Sequence, residues 1–103
     1  MTLKDYAENL GLDEEEFKEL TQLFIDTTKK DLEKLKKALK NQDFKSAKEA
    51  SHSIKGASGN LGFMEIFELA SKCEKASEEN NFELISNDIS KIETLTIKLN
   101  ELL

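Results

Sequence analysis

The chain has 103 residues, 38% hydrophobic and 35% charged, a composition typical of one globular domain over residues 1–103 rather than of a disordered segment. Its 15 basic residues are all lysine and its formal net charge is −6, which argues against a nucleic-acid-binding protein because phosphate neutralisation drives that binding. No apolar run approaches the roughly 20 residues that cross a bilayer, and the N-terminus holds no apolar signal core, so we expect a soluble, cytoplasmic protein without a membrane partner.

Two helices are predicted in the first 41 residues. Thr2 is placed to cap a short first helix that ends near Leu10. Asp13 caps a long second helix that ends near Asn41, and Glu16, three residues on, completes a capping box. The side chains that recur at steps of three and four and predict the buried face of this helix are Phe17, Leu20, Phe24, Thr28, Leu32, Leu35 and Leu39.

Three further helices are predicted in the rest of the chain. Asp43 caps the third helix and Gly62 ends it. The fourth runs from about Met64 to Glu79, and the fifth follows the break at Asn80–Asn81. The predicted buried faces are Phe44, Ala47, Ala50, Ile54, Ala57 and Leu61 in the third helix, Ile66, Leu69, Cys73 and Ala76 in the fourth, and Ile85, Ile89, Ile92, Leu99 and Leu103 in the fifth.

Long amphipathic helices with short connections predict an all-α fold. We expect an antiparallel up-down four-helix bundle with the short extra N-terminal helix as a lid. No window shows the strict alternation of a β-strand. The single cysteine, Cys73, lies on an apolar face, so we interpret it as a core residue and expect no disulfide within the chain.

The most informative segment is residues 51–62, which holds the only histidine, His52, and three of the four glycines. At about 100° per residue, His52 points away from the buried face of its helix, so we expect it to be exposed. Lys55, Gly56 and Gly59 lie on the same side of the helix. Because glycine in a helix costs about 0.5–1 kcal/mol relative to alanine, these glycines indicate a surface beside His52 that is kept open for another protein.

An exposed imidazole beside lysines suits the transfer of an anionic group. Imidazole is mostly neutral at pH 7, and its free ring nitrogen is a nucleophile. The Lys55 ammonium lies one turn from His52, where it is placed to bind the oxygens of an attached phosphoryl group. Together with Lys45 and Lys48 it makes the local charge positive, which steers an acidic partner toward this face.

The residues alone leave other interpretations open. A single histidine on a solvated helix face is ordinarily a surface residue, and lysines are ordinary surface charge. A metalloprotein or hydrolase is disfavoured because one outward-facing histidine leaves too few ligands. The main alternative is a helical protein-interaction module without phosphate chemistry, in which the glycine-lined face only docks a partner.

The joint pattern resembles the signature of histidine-containing phosphotransfer (HPt) domains of two-component phosphorelays. Here that signature reads Ser51-His52-Ser53-Ile54-Lys55-Gly56-Ala57-Ser58-Gly59-Asn60-Leu61-Gly62, and the wider resemblance covers about Asp13 to Leu103. It implies that His52 accepts a phosphoryl group through Nε2, that Lys55 assists there, and that Gly56 leaves room for a docking receiver domain. Glu74 falls where some members carry a glutamine that bonds the histidine ring, so the resemblance implies a ring-orienting role for it.

The same resemblance implies a phosphocarrier rather than an enzyme. A receiver-domain aspartate, or a kinase domain, gives its phosphoryl group to His52, which passes it to another receiver aspartate. The receiver supplies Mg²⁺ and the catalytic aspartates, so we expect no cofactor or metal on this chain, and without a glycine-rich phosphate loop we expect no ATP site of its own. The expected partners are receiver domains of response regulators or hybrid histidine kinases, met by a monomer.

Overall fold

The computed structural model describes residues 2–103, and within that range every regular element is a helix. The helices in chain order are α1 (Leu3–Asn9), α2 (Glu14–Lys40), α3 (Phe44–Leu61), α4 (Met64–Glu78) and α5 (Phe82–Leu102). Each of α2 to α5 packs against its neighbours in sequence, and α5 returns to α2. This arrangement confirms the predicted all-α four-helix bundle with a short extra N-terminal helix.

The predicted N-terminal caps are present. The Thr2 hydroxyl caps α1, and the Asp13 carboxylate accepts the Glu16 N–H at 2.8 Å while the Glu16 side chain accepts the Asp13 N–H at 3.3 Å. At the start of α3, the Asp43 carboxylate accepts the Ser46 hydroxyl at 2.6 Å and its N–H at 3.1 Å. These donors favour the ionised carboxylates and hold the pKa of Asp13 and of Asp43 below its usual value.

The α2–α3 and α4–α5 connections share one turn geometry. Gln42 and Asn80 each adopt a left-handed conformation with φ of 54°. The N–H of the next residue, Asp43 or Asn81, then donates to a carbonyl five residues earlier at 2.8 Å. This bond satisfies a carbonyl at the helix end and reverses the chain within three residues, so the successive helices are antiparallel.

The core lies inside the bundle and is built from buried apolar side chains of all five helices. Its largest fully buried apolar side chains are Phe17, Ile25, Leu35, Ile54, Ile85 and Ile92. Burying each of these side chains contributes about 1.5–3 kcal/mol. At the end of the bundle that α1 crosses, Tyr6 stacks on Phe17 at 5.8 Å and meets the edge of Phe63 at 5.2 Å between ring centroids. These contacts place α1 as the expected lid.

Two side chains predicted to be buried are exposed. Leu20 is 39% exposed, whereas Thr21 and Ile25 are fully buried, because the face of α2 that packs on the bundle is wider than one stripe and Leu20 lies at its edge. Leu103 is 38% exposed and lies beyond the last residue of α5. Several side chains of the predicted faces are only partly buried but still pack against the core: Phe44, Ala57, Leu61 and Leu69.

Burial raises the pKa of two groups inside the bundle. Cys73 is fully buried, as expected, and burial raises the pKa of its thiol. Asp88 on α5 is 6% exposed, and burial raises the pKa of its carboxyl against the opposite pull of Lys91 and Lys72. An ionised Asp88 therefore reduces the stability of the fold at neutral pH. No helix within residues 2–103 has the length and hydropathy needed to cross a bilayer.

Candidate functional site

His52 stands on the outer face of α3. Its neighbours Ser51 and Ile54 are fully buried, which fixes the rotation of the helix, while the His52 side chain is 73% exposed. The Ser51 hydroxyl donates to the Ala47 carbonyl of its own helix at 2.7 Å, so this polar side chain is satisfied in the core. The prediction that His52 is exposed is confirmed.

Glu74 on α4 binds the imidazole ring of His52. Its Oε2 lies 2.6 Å from His52 Nδ1, and the Glu74 side chain is only 16% exposed. Because a carboxylate only accepts hydrogen bonds, Nδ1 carries the proton and donates it to this contact. In the neutral ring the free lone pair is then on Nε2, the nitrogen on the other side of the exposed ring.

Lys55 joins the same group. Its Nζ lies 3.6 Å from the second oxygen of Glu74, Oε1, so one carboxylate contacts both the imidazole and the ammonium. The Lys55 side chain is 33% exposed, and its Nζ lies 5.9 Å from the centroid of the Phe67 ring. The structure therefore brings His52, Lys55 and Glu74 together on one surface of α3 and α4.

The other predicted lysines have different surroundings. Lys48 Nζ is 3.0 Å from Glu78 Oε1, and this hydrogen bond raises the pKa of Lys48. Lys45 is exposed near the start of α3, seven residues before His52 or about 10 Å along the helix axis. The prediction of a positive local charge around His52 is therefore partly wrong. Glutamates of α4 lie beside Lys48 and Lys55 and offset much of their charge.

The two predicted docking glycines differ in their surroundings. Both are exposed, but a Cβ built on Gly56 meets nothing within 4 Å. A Cβ on Gly59 would lie 3.1 Å and 3.3 Å from two carbons of the Phe67 ring. Gly56 thus leaves open space beside His52, whereas Gly59 lets an aromatic ring of α4 lie against α3.

Two features of this surface were not predicted from the sequence. Phe67 lies outside the predicted apolar face of α4, and a helical spacing gives no sign that its ring rests on Gly59. On the other side of His52, the Ser53 hydroxyl donates to Asp31 Oδ2 of α2 at 2.7 Å, and Asp31 is 7% exposed. An acidic residue within the long apolar pattern of α2 is the one sequence signal that points to this contact.

The chemistry available here needs one nucleophile and one cation. Nε2 of His52 is accessible with a free lone pair, and the Lys55 ammonium is close enough to meet the oxygens of a group attached there. Within residues 2–103, no three His, Cys, Asp or Glu side chains cluster closely enough to hold a metal ion.

Two comparisons with known proteins found a match. The family model described as Hpt domain matches residues 19–102. In the crystal structure of histidine-containing phosphotransfer protein B (HptB) from Pseudomonas aeruginosa PAO1, 84% of the chain aligns with 94% of this one at a TM-score of 0.76 and 24% identity, a likeness that shows the fold. No curated protein matches the sequence.

Proposed function

Because the chain belongs to the Hpt domain family, the histidine phosphotransfer modules of phosphorelays, we propose that His52 is its phosphoryl-accepting residue. The observation that carries this proposal is the contact of Nδ1 with Glu74, which leaves Nε2 as the nucleophile on an exposed ring. In the transfer, Nε2 attacks the phosphorus of a receiver acyl phosphate. The P–O bond to the receiver aspartate breaks, and the aspartate leaves as a carboxylate with the electron pair.

Glu74 supports this step by holding the ring. The short contact keeps the proton on Nδ1, and once Nε2 bears the phosphoryl group the ring is cationic, so the adjacent carboxylate stabilises it. The same positive ring is a good leaving group when a second receiver aspartate attacks the phosphorus. Glu74 thus serves both directions of transfer.

Lys55 is the residue that meets the phosphoryl oxygens. Its ammonium is held near His52 by the second oxygen of Glu74, at 3.6 Å. When a phosphoryl group arrives, the lysine moves from a shared carboxylate to a doubly charged anion, and this exchange of partners leaves no charge unpaired.

The partner in this scheme is a receiver domain that docks over α3. Gly56 leaves the space for its approach, and Gly59, Lys45 and Lys48 contribute the surrounding surface. Mg²⁺ and the catalytic aspartates belong to the receiver, since this chain supplies only a positioned nucleophile. A kinase domain that phosphorylates His52 directly is the alternative donor in this proposal, in which the chain is a monomeric carrier without an ATP site of its own.

The test is transfer from phosphorylated receiver domains to the wild type and to His52→Gln. The wild type is expected to gain a phosphoryl group that is labile in acid and stable in alkali, as a phosphorus–nitrogen bond to histidine is, and His52→Gln is expected to gain none. Equal labelling of the two proteins would contradict the proposal. Tight receiver binding by both proteins without any labelling would favour an interaction module.

A further inference from the structure

The Phe67 ring lies close to two residues of the candidate site, Gly59 and Lys55. Phe67 is half-buried on α4, and its ring occupies the position that a Cβ of Gly59 would crowd at 3.1 Å. The Lys55 ammonium lies 5.9 Å from the centroid of the same ring. Within one turn of α3, Gly59 therefore provides the backbone on which the Phe67 ring packs, and Lys55 provides the ammonium that the ring faces.

The Lys55 side chain is flexible, so contacts with its neighbours are needed to keep its ammonium near His52. Its side chain has four rotatable bonds, and a surface ion pair with a single carboxylate at 3.6 Å restrains such a side chain weakly. An aromatic face within about 6 Å of an ammonium attracts it through the ring quadrupole. Phe67 and Glu74 approach Lys55 together, so the ammonium is kept near His52 before any phosphoryl group is present.

We propose that Phe67 is a positioning residue that holds Lys55 beside His52, and that Gly59 is a glycine because this ring must lie against α3. The proposal rests on the proposed function, in which Lys55 meets the phosphoryl oxygens. It distinguishes the two predicted docking glycines: Gly56 leaves space for the partner, and Gly59 also makes room for the ring that holds the chain's own lysine.

The test uses phosphoramidate as the phosphoryl donor, so that no receiver has to dock. Nε2 of His52 attacks its phosphorus, the P–N bond breaks and ammonia leaves. We expect Phe67→Leu to label about two- to fivefold more slowly than the wild type, the loss of one cation–π contact. Phe67→Tyr keeps the aromatic face and is expected to label at close to the wild-type rate.

A double-mutant cycle separates positioning from a general structural effect. If Phe67 acts through Lys55, Phe67→Leu slows labelling in the wild-type background and has no further effect in the Lys55→Ala background. Gly59→Ala is the second variant, because it leaves every side chain of the site in place and displaces only the ring. It is expected to slow labelling like Phe67→Leu.

Phe82→Leu serves as the matched control, since Phe82 is 48% exposed at the start of α5 and belongs to no part of the site. It is expected to label at the wild-type rate. Wild-type labelling by Phe67→Leu, or an undiminished effect of that change without Lys55, would overturn the role of Phe67 alone. Failure of the wild type to label on His52 would instead overturn the proposed function.

Discussion

Replacing Gly56 by leucine is expected to have opposite effects on two properties: it stabilises α3 and it hinders access to His52. Gly56 is an exposed helical residue four positions beyond His52, and a Cβ there meets nothing within 4 Å. Leucine therefore adds helix propensity without crowding the backbone, a gain of about 0.5–1 kcal/mol over glycine. In a domain of this length the gain raises the melting temperature by about 2–8 °C.

The assay pairs thermal unfolding, followed by circular dichroism, with the rate of transfer from a phosphorylated receiver. Gly56→Leu is expected to melt higher than the wild type and to accept phosphoryl groups at least roughly tenfold more slowly, because the new side chain stands where the receiver approaches. Gly56→Ala is the graded control, with a similar gain in stability and a smaller loss of transfer. A lower melting temperature would show that Gly56 is packed, and transfer at the wild-type rate would show that the receiver docks elsewhere.

Three further outcomes are expected. Gly59→Ala should raise the melting temperature less than Gly56→Ala, because its methyl group must displace a ring at 3.1 Å; equal gains would contradict that crowding. Glu74→Ala should slow phosphoramidate labelling of His52 by about two- to tenfold, and Glu74→Gln by less because its amide oxygen still accepts from Nδ1; a wild-type rate for Glu74→Ala would remove the ring-holding role. Burial raises the pKa of Asp88, so Asp88→Asn should be more stable than the wild type at pH 7, and this difference in stability should shrink as the pH falls toward 3.8. A difference in stability that grows in acid would mean that the pKa of Asp88 is lowered rather than raised.

The helices were predictable because their signals are local. Asp13 and Asp43 cap helices within three residues of sequence, and Gly62 ends α3 with φ of 80°. The exposure of His52 followed from the same helical phase. The error at Leu20 has a different origin: how wide a face of α2 is buried depends on the two helices that flank it, and a spacing along one helix does not contain that information.

The contacts between helices were harder to predict from the sequence than the helices themselves. The resemblance pointed to Glu74, but the 2.6 Å contact with Nδ1 depends on how α3 and α4 are rotated against each other. The packing of Phe67 against Gly59 could not be predicted for the same reason, since that ring comes from α4. The local charge was overestimated because the sequence places Lys48 on α3 and Glu78 on α4 without showing that they meet.

The most direct test of the central claim is to determine which nitrogen carries the phosphoryl group. The protein is labelled with nitrogen-15 in the His52 ring and phosphorylated by a receiver domain, and nuclear magnetic resonance then detects the coupling of phosphorus to one ring nitrogen. Since Nδ1 is bound to Glu74, the expected product is phosphorylated on Nε2 of His52. Phosphorus coupled to Nδ1, or phosphate on any residue other than His52, would contradict the account.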